Sequence, residues 1–217
     1  MPALITWWTL DLARLAPQAP PERVAALGAD LLRRWNEPQR HYHTTSHLVE
    51  MFWALEELEV QVLPPQGAVL ARVGAWFHDA VYDPRAGGGA NEAASAQLAA
   101  AALGGLGAEA DAVETVERLI RMTDGHDDDD GDNVSQAFHD ADLWILSAPA
   151  ARFDAYCEQV RAEYAHVPDG AYAGARSQIL GDLVRRDRLY LTGHAQQEWD
   201  EAARTNLGRE LQRLARR

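Results

Sequence analysis

Apolar residues recur at intervals of three and four along almost the whole chain, and no stretch of useful length alternates apolar with polar as a half-buried strand would. This spacing predicts helices, because it places the apolar side chains in one stripe that has to be covered by another element. Val24, Leu27, Leu31 and Trp35 mark one helix, closed by Pro38. Leu48, Met51, Phe52, Leu55, Leu58 and Val62 mark a second, opened by the cap-like Thr44-Thr45-Ser46 and ended by Pro64-Pro65. Val69, Val73, Trp76, Phe77, Ala80 and Val81 mark a third, stopped by Pro84 and the glycines 87–89. An alanine-rich helix spans roughly 91–103, and Val113, Val116 and Ile120 mark the next, which runs into an acidic loop at 127–132. A helix near 134–147 stops at Pro149, and Phe153, Cys157, Val160 and Tyr164 form a stripe before Pro168. Two more cover 171–187 and 194–215, while the opening MPALITWWTL reads as a packing segment. With 217 residues, 47% of them hydrophobic, the expectation is one all-α domain over 1–217 with a substantial core.

Charge and cysteine content narrow the function. A net charge of −13 argues against a nucleic-acid polymer as partner, which calls for a basic stripe. No lysine occurs, so an anionic substrate has to be held by arginine, a metal ion or backbone amides. The single cysteine, Cys157, excludes an internal disulfide framework and reads as a small core residue. No apolar run approaches the ~20 residues of a membrane span, and the N-terminus lacks a basic leader region, so the expected location is cytoplasmic and off the membrane. A homo-oligomer is compatible with the sequence, which demands none.

The segment AWFHDAVYDP, residues 75–84, sets His78 and Asp79 among side chains that avoid water. A buried carboxylate is costly unless it is paired or binds a cation. His47 lies four before Met51 and eight before Leu55, sharing their inward face. Asp142 lies four after Phe138 and three before Ile145, again facing inward, whereas Asp140 points elsewhere. Each residue alone reads as readily as a hydrogen-bonded core histidine or a capping aspartate. Together, His47, His78, Asp79 and Asp142 place two imidazoles and two carboxylates on the inner faces of three helices, a set that a divalent cation would accept. The loop DGHDDDDGDN does not fit a calcium loop: registered on Gly131, it would begin with His126 and end on Ala137, where glutamate is needed.

RHYHTTSH, AWFHDAVYDP and FHDADLWIL together resemble the HD-domain superfamily of metal-dependent phosphohydrolases, whose signature is His…His-Asp…Asp. The likeness is greatest to a bacterial branch of predicted phosphohydrolases, with counterparts to its motifs at Tyr42–His47, Trp76–Tyr82, Asn91–Ser95, Asp140–Leu143 and Val160–Tyr164. Thr44 stands where the branch leads one to expect asparagine. The resemblance implies a helical bundle of the HD type, with His47, His78, Asp79 and Asp142 as ligands to one divalent ion. Mn, Ni, Co, Fe, Mg and Zn all suit these donors, and ligation by Glu92 or His126 would bring a second ion. It implies hydrolysis of a phosphate ester or anhydride of a small phosphorylated metabolite, a nucleotide first. Asp79 would be both ligand and proton acceptor, Glu92 would orient water, and His126 would act on the phosphate or a second metal. His43, Thr123, Arg161 and Tyr164 are the expected substrate contacts, Arg161 ahead of Arg40, Arg121 and Arg176 for the phosphate. The superfamily also holds di-iron oxygenases and domains that bind metal and nucleotide without turnover.

Overall fold

Most helical stretches expected from the apolar spacing are present in a computed structural model, which describes residues 2–125 and 131–216. In chain order they are α1 (Pro2–Leu15), α2 (Pro21–Arg34), α3 (Thr45–Gln61), α4 (Pro65–Phe77), α5 (Ala90–Leu106) and α6 (Ala110–Arg121). After the acidic loop come α7 (Asn133–Asp142), a 3₁₀ turn (Leu143–Ser147), α8 (Ala150–Glu163), α9 (Asp169–Arg185), α10 (Gly193–Glu198) and α11 (Asp200–Leu214). The described residues contain no strand, and the fold is an all-α single domain. Among the described residues no helix is long and apolar enough to cross a membrane.

Helix α4 is the axis. From Gly67 to Phe77 every residue but Leu70 is buried, and the helix packs against α1, α3, α5, α6 and α7. Small residues permit that crowding: a Cβ on Gly74 would lie 2.9 Å from Phe138 Cε2 of α7. The one cation on this helix, Arg72, is balanced where it is buried, donating to both Asp11 oxygens at 2.7 and 2.8 Å and to Glu59 at 2.9 Å. Two tryptophans fill space beside α4 with their indole N–H groups satisfied. Trp8 donates to the Val24 carbonyl at 2.8 Å, and Trp35 to the Trp76 carbonyl at 2.9 Å.

Four boundaries differ from the sequence expectation. The N-terminal packing segment is a full helix, α1. The helix expected over 134–147 tightens into a 3₁₀ turn after Asp142, and that over 194–215 is interrupted at Trp199. Most consequentially, α4 ends at Phe77 rather than continuing through Val81. Arg40 draws the next carbonyls away, donating to Asp79 O at 2.8 Å and Ala80 O at 3.4 Å, while Ser95 Oγ accepts from Val81 N at 3.0 Å. His78 is therefore the C-cap and Asp79 lies in the turn beyond it. Arg40, one of the arginines weighed for phosphate, is a buried brace of this turn.

Candidate metal centre

Helix ends meet in one place. The first turn of α3 brings His47, opened by Thr44, whose hydroxyl accepts from Ser46 N. The end of α4 brings His78 and Asp79, and the end of α7 brings Asp142. The Nε2 atoms of His47 and His78 are 3.2 Å apart. An Asp79 oxygen lies 2.9 Å from His78 Nε2 and 3.8 Å from His47 Nε2, and Asp142 Oδ1 lies 3.1 Å from His47 Nε2 and 3.5 Å from His78 Nε2. His47, His78 and Asp79 form a group that could hold a metal ion, and Asp142 faces both imidazoles from the other side.

The donor chemistry fits a cation. His78 Nδ1 lies 2.9 Å from the Ala75 carbonyl, which only accepts, so Nδ1 carries the proton and Nε2 of the neutral ring presents a lone pair. His47 Nδ1 is fixed by the Tyr42 hydroxyl at 3.0 Å, again leaving Nε2 toward the cluster. Burial opposes a charge on His78, yet Asp79 and Asp142 outweigh it and raise its pKa well above the ordinary histidine value. For Asp79, burial favours the neutral acid, but the imidazoles of His78 and His43 hold the carboxyl well below the usual carboxylate range. A cation takes the place of such shared positive charge.

The cluster lines a cavity of about 260 Å³. Of the residues expected at the site, His43, Thr123 and Tyr164 line it, and Glu92 enters from the first turn of α5. Glu92 is half-buried, and burial together with the carboxylates of Asp124 and Asp79 raises its pKa. The turn before α5 is set by Gly89 at φ +72°, where a Cβ would lie 2.5 Å from Asp124 Oδ2. His126 lies outside the described residues.

Arg161 is not brought to the cavity. Its guanidinium donates to the carbonyls of Tyr164 at 2.6 Å and Val167 at 3.0 Å and to Asp169 at 2.7 Å, so it closes the end of α8. The arginine that does line the cavity is Arg176 of α9.

Two further groups shape the site. Glu163, on the same face of α8 as Tyr156 and Val160, accepts from the backbone N–H groups of His41, Tyr42 and His43 at 2.7–3.0 Å. It also receives His43 Nδ1 at 2.7 Å and the Tyr82 hydroxyl at 2.8 Å. Burial would raise its pKa, but the bonds from His43 and these amides hold it at about 2. Tyr42, the second, orients His47. Asp140, set aside on helical phase, is wholly buried and faces the other way, accepting from Leu191 N, Thr192 N and Thr192 Oγ1 at 2.7–2.8 Å.

Compared with protein-family models, curated proteins and solved structures, the chain matches none.

Proposed function

We propose that the protein is a metal-dependent phosphohydrolase of the HD type that cleaves a phosphate ester or anhydride of a small phosphorylated metabolite, a nucleotide being the first candidate. The observation that carries the reading is the convergence of two imidazole Nε2 atoms and two carboxylates in the lining of a cavity. The spacing of the motifs HTTSH, FHDAVY and DADL supports it. A cavity of about 260 Å³ lies just below the roughly 300–1,000 Å³ usual for ligand sites, which suits a small metabolite rather than a polymer. When bound, a divalent cation supplies positive charge against the phosphoryl oxygens and makes water a better nucleophile at neutral pH.

The chain's own groups divide the remaining work. His47, His78, Asp79 and Asp142 hold the cation. Asp79 accepts the proton of the attacking water, and Glu92 orients that water from the α5 side. His43, its Nδ1 bonded to Glu163, presents its other nitrogen to the cavity and gives a proton to the leaving oxygen. Thr123 and Tyr164 contact the substrate. The test is phosphate release from a panel of nucleotides and sugar phosphates with Mn²⁺, Mg²⁺, Co²⁺ or Ni²⁺. Turnover that Asp79→Ala abolishes supports the assignment, and turnover that survives Asp79→Ala removes it.

A further inference from the structure

Arg176 is the arginine of the cavity whose charge is not met by a carboxylate. Arg40 pairs with Glu37, Arg152 with Glu50 and Arg161 with Asp169. Arg176 makes no ion pair among the described residues; its partners are the hydroxyl of Tyr156, to which it donates, and the face of the same ring, 5.2 Å from its guanidinium carbon. The strongest electrostatic influences on it come from the phenols of Tyr156 and Tyr172 and the thiol of Cys157. A guanidinium has five N–H donors in a planar fork, and a half-buried one without a counterion is costly.

It is linked to the candidate metal centre through two tyrosines. Tyr156, its partner, packs on Tyr42 with ring centroids 4.6 Å apart, and Tyr42 in turn bonds His47. On α9, Arg176, the exposed Ile179 and Leu183 are spaced by three and four and all line the cavity, as do Ile145 and Leu146 of the 3₁₀ turn. The cavity is thus lined by the carboxylates and imidazoles of the cluster, by apolar side chains, and by one arginine that no carboxylate pairs among the described residues.

Building on the phosphohydrolase reading, we propose that Arg176 receives a second oxyanion of the substrate. The substrate is then a small two-ended anion, carrying the scissile phosphate at one end and a carboxylate or second phosphate at the other. A nucleoside bisphosphate and a phosphorylated carboxylic acid both belong to this class.

Three phosphonates of one shape provide the test: phenylphosphonate, 4-carboxyphenylphosphonate and benzene-1,4-bisphosphonate, titrated calorimetrically into the full chain with excess Mn²⁺. The proposal expects at least one two-ended compound to bind on the order of ten- to a hundredfold tighter than phenylphosphonate, the factor of one bond between charged groups. The larger gain tells carboxylate from phosphate. In Arg176→Gln that ratio falls toward one. Equal binding of all three to the wild type, binding of none, or a ratio that persists in Arg176→Gln overturns the proposal, and the wild-type comparison decides even if the variant does not fold. Turnover of phenyl phosphate and 4-carboxyphenyl phosphate separates the two readings. A binding preference without turnover removes the phosphohydrolase assignment alone, whereas turnover without preference removes the role of Arg176 alone.

Discussion

Replacing Glu163 by glutamine tests how the site is held. The carboxylate is wholly buried and collects three backbone N–H groups, one imidazole N–H and one phenol. Its pKa of about 2, against an ordinary 4.5, means that the folded state favours the ionised form by about 3 kcal/mol. A glutamine keeps the shape, offers one accepting oxygen, and turns a donor toward groups that themselves donate. Glu163→Gln should therefore lose about 3 kcal/mol at pH 7, measured by urea unfolding followed through tryptophan fluorescence. The acid response should change as well. Because the folded pKa is depressed, the unfolded chain binds the proton first as pH falls. The stabilisation is complete above about pH 4.5 and is lost on the way down to about pH 2. Wild type should show that extra decline and the variant should not. A variant within about 0.5 kcal/mol of wild type at pH 7, with the same acid slope, would refute the reasoning.

Other substitutions probe separate parts of the account. Gly89→Ala places a Cβ at a left-handed position and 2.5 Å from Asp124 Oδ2, so a loss of about 1–3 kcal/mol is expected, seen as a lower calorimetric melting temperature. Asp140→Ala strands the N–H groups of Leu191 and Thr192 and should lose about 3–5 kcal/mol in urea unfolding. Since Asp140 faces away from the cavity, chains of that variant that do fold should bind Mn²⁺ in the same ratio as wild type, which equilibrium dialysis measures.

How much of this was legible in the sequence depended on what competes with helical periodicity. Stripes such as Leu48–Val62 and Val69–Phe77 became helices because nothing opposes them; the first turned His47 toward the cluster, and the spacing from Phe138 did the same for Asp142 on α7. The stripe through Ala80 and Val81 misled because burial keeps residues apolar whether or not the backbone is helical. What ends α4 is Arg40, some 40 positions away in sequence, a contact that no local pattern encodes. Arg161 drew attention through its motif, yet two carbonyls and Asp169 hold it outside the cavity. Arg176, ranked behind Arg161 for the phosphate, had a readable signal of its own: it lies at helical spacing with Tyr172, Ile179 and Leu183. Glu163 carried the same kind of signal beside Tyr156 and Val160.

The most direct measurement is the metal content of the protein. After incubation with Mn²⁺, Ni²⁺ or Zn²⁺ and exhaustive dialysis, elemental analysis should find about one ion per chain in the wild type. His47→Ala and His78→Ala should retain almost none while keeping their helical circular dichroism. An ion-free wild type, or variants as rich in metal as the parent, would contradict a centre built from these imidazoles and carboxylates.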